Sequence, residues 1–81
     1  MPYNKKALGL VISRLRTRRG LTQECFSGLA GISRSHLALI ESGRRIVRLD
    51  TFCRLAEALR MRPSELMAQV EAESAGPRPE D

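Results

Sequence analysis

The sequence has little of what usually staples a small protein together. It holds two cysteines, Cys25 and Cys53, and one histidine, His36. No two of these three stand at metal-ligand spacing, and two cysteines make no disulfide framework. No structural metal is expected, and both thiols read as reduced, as in a cytosolic protein. No apolar run approaches the roughly 20 residues that a membrane-spanning helix needs. The stretch Ala7 to Ile12 is followed too soon by Arg14 for a secretory signal, so the protein is expected in the cytoplasm. Catalytic constellations are missing as well. There is no paired carboxylate in an apolar setting, no Ser–His–Asp or Cys–His arrangement and no glycine-rich phosphate loop. An 81-residue chain is also too small to wall off a substrate pocket of roughly 300 Å³ or more. Neither an enzyme nor a cofactor is expected.

Acidic residues are scarce in one part of the chain only. Residues 1–48 carry ten cations against Glu24 and Glu41, a net charge of +8. Residues 49–81 carry four arginines and seven acids, a net −3. A basic body with an acidic end suggests a polyanionic partner.

Alternating strand patterns are rare, and apolar residues recur at helical spacing. The spacing predicts five helices in an all-α domain over residues 1–73. The first runs from Lys5 to Arg19, with Leu8, Val11, Ile12 and Leu15 as its stripe and Gly20 as a left-handed stop. Thr22 caps the second, whose Phe26, Leu29 and Ala30 are expected inward, and Gly31 ends it. Ser33 caps the third, Arg34 to Ser42, and Gly43 stops it. The fourth runs from Leu49 to Arg60, with Leu49, Phe52, Leu55, Ala56 and Leu59 inward. The fifth opens at Pro63 or Ser64 and runs to Glu73, with Leu66, Met67 and Val70 on its apolar side. The remaining glycines, Gly9 and Gly28 included, are read as helix punctuation. Residues 74–81, with two prolines and a glycine, read as a disordered acidic tail. Two short helices with a glycine turn, over residues 22–42, make a helix-turn-helix unit.

The third helix carries the functional signal. At about 100° per residue, Leu37 and Ile40 face the core. The outward face is Ser35, Ala38, Leu39 and Ser42, with Arg34 and His36 at its leading edges. A small outward face lets the helix backbone come close to another surface, as entry into a DNA major groove requires. A leading arginine can reach guanine, serine can bond a base or a phosphate, and alanine or leucine can touch a thymine methyl. Arg44 and Arg45, just past the helix, suit the sugar-phosphate backbone. The plainer reading is a small surface helix.

At these residues a family becomes recognisable. Leu21-Thr-Gln-Glu, Leu29-Ala-Gly-Ile-Ser-Arg-Ser, Leu37, Ile40-Glu-Ser-Gly-Arg-Arg, Leu55-Ala-Glu-Ala-Leu and Pro63-Ser-Glu-Leu resemble the phage-repressor helix-turn-helix family of Cro and CI type. That family is also called the xenobiotic-response-element family. The resemblance spans about residues 8–66. It implies a compact five-helix bundle of the lambda-repressor-like type, acting as a transcription regulator on the nucleoid. Such a protein binds palindromic double-stranded DNA as a homodimer, with the third helix in the major groove. Carried over, Arg34, Ser35 and Leu39 contact bases, and Gln23, Ser33, Ser42, Arg44 and Arg45 contact the backbone. His36 and Ala38 are further candidates for DNA contact; His36 serves equally well as packing beside the second helix. Arg16 and Glu41 resemble a pair that joins the first helix to the third. The surface around the fifth helix, with Met61, Met67 and Val70, is the candidate dimer interface; Leu10 and Val47 are weaker candidates. The sequence departs from the pattern at Leu39, often arginine or glutamine in relatives, and at Val47, often proline. Arg48 and Arg62 stand where caps are common, and Arg60 stands where glycine usually ends the fourth helix. Two other functions fit the scaffold: an antitoxin that also binds a toxin protein, and a pure protein-interaction module.

Overall fold

The computed structural model describes residues 4–75. Five helices follow one another: α1 (Lys5–Arg18), α2 (Gln23–Ala30), α3 (Arg34–Glu41), α4 (Leu49–Ala58) and α5 (Pro63–Ala75). No strand occurs among the described residues. Helix α1 packs against α3 and α5, while α2 packs against α3 and α4. All five therefore share one core. Its large, fully buried side chains are Leu8, Val11 and Ile12 of α1, Phe26 of α2, Leu37 and Ile40 of α3, Leu55 and Leu59 of the α4 region, and Leu66 and Val70 of α5. At about 1.5–3 kcal/mol for each large apolar side chain buried, this core is what holds helices as short as α2 and α3. Helices of eight residues are too short to persist alone in water.

Four of the helices end on one device, in which the N–H five residues on closes back onto a carbonyl inside the helix. Leu21 N–H meets Arg16 O at 3.2 Å, Ile32 meets Ser27 O at 3.0 Å, Arg44 meets Leu39 O at 3.0 Å and Met61 meets Ala56 O at 2.9 Å. This turn needs a left-handed residue. Gly20, Gly31 and Gly43 supply it after α1, α2 and α3, and Arg60 supplies it after α4 with φ 58°.

Several expectations need correction. Leu29 and Leu49 point outward, 61% and 74% exposed. In α2 the inward arc is centred between Phe26, Ser27 and Ala30, about 100° from Leu29. Ser27 can be buried because its hydroxyl donates to Glu24 O at 3.0 Å. In α4 the buried Thr51 and Phe52 open the inward face, and Leu49 falls outside it. Gly9 and Gly28 are interior to α1 and α2 and end neither helix. Helix α5 continues through Ser74 and Ala75, where the tail was expected to begin; the Ser74 hydroxyl donates to Val70 O at 2.8 Å. The rest of that expected tail, residues 76–81, lies outside the described residues. Arg48 makes no side-chain cap. At α5 the cap runs in reverse: Glu65 Oε1 accepts the Arg62 N–H at 2.9 Å, half of a capping box.

Candidate nucleic-acid interface

Local chemistry fixes the α2–α3 unit. Thr22 Oγ1 accepts the Cys25 N–H at 3.0 Å and opens α2. Gly31, at φ 72°, turns the chain, and three residues separate α2 from α3. Ser33 Oγ then accepts the His36 N–H at 3.0 Å and opens α3. Accepting that bond occupies a lone pair and leaves the Ser33 O–H free to donate outward.

Helix α3 is split cleanly between two environments. Leu37 and Ile40 are fully buried, Arg34 and Ser35 are exposed, and His36, Ala38 and Leu39 are half-buried. Arg34 and Ser35 thus project from the leading end, and Ala38 and Leu39 form a low surface behind them. Beyond α3, Ser42, Arg44 and Arg45 are exposed. The Ser42 hydroxyl donates to Leu39 O at 3.0 Å, so its proton is turned onto its own helix. The candidate DNA residues of the α3 region stand on α3 and on the chain directly before and after it, and Gln23 stands at the start of α2.

A polar brace sets the angle of α3. Arg16 Nε donates to Glu41 Oε2 at 2.7 Å, and Arg16 Nη2 donates to Glu41 Oε1 at 3.0 Å. Arg16 Nη1 donates to Leu21 O at 2.7 Å, and Gln23 Nε2 donates to Glu41 Oε1 at 3.0 Å. The two charged side chains are only 15% and 7% exposed. The hydrogen bond to Glu41 is the main force raising the Arg16 pKa; burial opposes it and the Glu41 charge adds to it. Arg16 is therefore ionised at every ordinary pH. One guanidinium ties α1 and the α1–α2 loop to the end of α3. Gln23 joins the same carboxylate from the start of α2 and keeps one amide N–H for another partner.

Two glycines were missed as parts of this site. A Cβ on Gly9 would stand 2.5 Å from Ile40 O and 2.7 Å from Glu41 O. Backbone contact between α1 and α3 at that point requires glycine. A glycine at position 9, between core residues Leu8 and Val11, was the signal available in the sequence. Gly43, buried and at φ 77°, carries the chain out of α3. The Leu21 carbonyl in the brace had no signal, since any residue supplies one.

Of the candidate dimer residues, Val70 is fully buried and is corrected to the monomer core. Met61 and Met67 are half-buried against that core. Among the described residues the large apolar side chains most open to solvent are Leu10, Leu29, Ile46 and Leu49. Among the described residues no group of three His, Cys, Asp or Glu side chains could hold a metal. No described helix is long and apolar enough to cross a membrane.

Five helices, a three-residue turn between α2 and α3, and an α3 braced from behind and bare in front define a helix-turn-helix protein. The chain belongs to the helix-turn-helix domain family, whose model matches residues 7–69. It is similar to the HTH-type transcriptional regulator y4dJ of Sinorhizobium fredii (strain NBRC 101917 / NGR234), at 35% identity over 74 residues, 91% of this chain and 96% of that one. It is similar to the restriction-modification controller protein C.AhdI of Aeromonas hydrophila, with 39% identity and a TM-score of 0.74 over 76% of this chain and 94% of that one. It shares the fold of the controller protein C.Esp1396I, solved as a tetramer on its natural 35 base-pair operator, at 18% identity and a TM-score of 0.80, covering 90% and 96%. The family is one of regulators rather than enzymes.

Proposed function

We propose that the protein is a transcriptional repressor or autoregulator that acts as a homodimer on a short palindromic operator in the cytoplasm. One observation carries this reading: the exposed face of α3 leads with Arg34 and Ser35 and is followed at once by exposed Arg44 and Arg45. Arg34 reads guanine, Ser35 bonds a base edge and Leu39 meets a thymine methyl. His36 and Ala38 complete the groove surface. Ser33, through its free O–H, and Gln23, through its second amide N–H, hold phosphates. Arg44 and Arg45 neutralise the flanking backbone, and Ser42 joins them once its hydroxyl leaves Leu39 O. The two-fold partner places a second α3 about 34–36 Å away, one helical turn along the duplex. Met61 and Met67 lie at the interface, with Leu10 beside them.

The test is selection from a random-sequence DNA pool at moderate salt. A recovered palindrome with half-sites one helical turn apart supports the reading, and recovery of nothing above background sinks it. On the recovered site, Arg34→Ala is expected to cost roughly 1–3 kcal/mol and to relax one base position in each half-site. Arg45→Ala is expected to weaken all sequences alike. If both variants acted alike on every sequence, the assigned roles would be wrong.

A further inference from the structure

The roles proposed above leave Lys5 and Lys6 unused. Both are exposed, and neither is in a salt bridge among the described residues. Two glycines place them. At Gly9, α1 crosses the last turn of α3 in backbone contact, a Cβ there lying 2.5 Å from Ile40 O. One turn nearer the N-terminus, Gly43 rests on Lys6: a Cβ on Gly43 would stand 3.1 Å from Lys6 Cα and 3.1 Å from its Cγ. Gly43 is also where Arg44 and Arg45 leave α3. The first turn of α1 therefore lies against the base of the arginine loop. The only acid in α3, Glu41, is engaged by Arg16 and Gln23.

We infer that Lys5 and Lys6 hold the same stretch of DNA backbone as Arg44 and Arg45, so that the interface extends beyond the helix-turn-helix unit to the first turn of α1. This rests on the DNA-binding reading above. Folding brings two cation pairs that are distant in sequence, Lys5–Lys6 and Arg44–Arg45, to the same buried glycine, with Lys6 in contact with it and Arg44 next to it in the chain. Cations collected in this way repel one another, and a phosphate backbone relieves that repulsion. A lysine ammonium on its flexible four-carbon stem suits a phosphate, which asks for charge rather than fixed geometry. The competing use lies inside the fold. Cations beside the last carbonyls of α3 would favour its macrodipole, which affects stability and not DNA.

Salt dependence separates the two. Each phosphate neutralised contributes about −0.9 to the slope of log K against log salt. The double variant Lys5→Gln/Lys6→Gln is compared with the wild type on the duplex that the wild type selects and on an unrelated duplex, with thermal unfolding in parallel. The expected result is a slope shallower by about 1.8, an equal fractional loss on both duplexes and a Tm unchanged or slightly raised, since removing two lysines relieves their repulsion. Lys5→Arg/Lys6→Arg should keep the wild-type slope. A wild-type slope in the glutamine variant overturns the inference, whether Tm falls, as the macrodipole role requires, or stays. In that case wild-type binding to the selected duplex leaves the DNA reading standing. Failure of the wild type to bind either duplex overturns both.

Discussion

Helices α2 and α3 on one side, and α4 and α5 on the other, close their ends by different means. In the first pair each helix opens on a hydroxyl cap, Thr22 or Ser33, and stops at a glycine, Gly31 or Gly43. In the second pair Arg48 offers no cap, and Arg60 takes the left-handed turn against the preference of its own Cβ. For α3 and α4 the difference follows what each helix buries. Helix α4 places Phe52, Leu55 and Ala56 in the core, so packing alone can hold it. Helix α3 buries two side chains, Leu37 and Ile40, and leaves its other face open. A helix that keeps one face bare for a partner has less packing to rely on. Its ends and its brace must supply the rest.

The largest expected effect comes from cutting that brace. Glu41→Ala leaves a mostly buried guanidinium with only Leu21 O, and one-sided removal of a buried pair costs about 3–5 kcal/mol. Chemical denaturation should show it, and replacing Arg16 by methionine in the same chain should restore much of the loss. If Glu41→Ala were neutral, α3 would need no brace and the contrast between the pairs would fail. Next comes Gly9→Ala. The added methyl meets backbone carbonyls rather than a yielding side chain, and overpacking costs about 1–3 kcal/mol. Gly28→Ala provides the control, since nothing lies within 4 Å of a Cβ there. It should stabilise by up to about 1 kcal/mol through helix propensity.

A smaller effect tests the caps. Ser33→Ala is expected to cost about 1 kcal/mol, whereas Arg48→Ala removes no cap bond and should leave the melting curve nearly in place. Equal losses would mean that the two pairs do not differ in their need for caps. The smallest change runs the other way. Arg60→Gly should stabilise by roughly 0.5–1 kcal/mol, because relief of left-handed strain exceeds the entropy that glycine adds to the unfolded chain. A destabilised Arg60→Gly would show that the arginine side chain holds the α4–α5 turn in some other way.

The α2–α3 pair was also the more legible. Its caps and stops are read within four residues of sequence, so the ends of α2 and α3 fall close to where Thr22, Gly31, Ser33 and Gly43 place them. The outward face of α3 followed from periodicity, and the Arg16–Glu41 pair from the family resemblance. Leu29 and Leu49 were misread because the apolar pattern fixes an arc only loosely in a helix of two or three turns. Ser27 and Thr51 took the inward positions that leucine was expected to fill. Val70, offered as surface, closes the core, since an apolar stripe does not say whether its own chain or a second copy covers it.

The sequence by itself determined the number of helices, the caps and stops of α2 and α3, the family and the cationic residues that follow α3. These depend on residues close together along the chain, whose geometry is nearly independent of the rest. Only the tertiary structure decided that Gly9 and Gly43 are contact points, that Leu21 O completes the brace and that Lys5 and Lys6 lie beside the Gly43–Arg45 loop. Those facts join residues about 20 to 40 positions apart or hang on a single backbone atom. A one-dimensional pattern shows which face of a helix is buried; the crossing of two helices decides which atoms meet there.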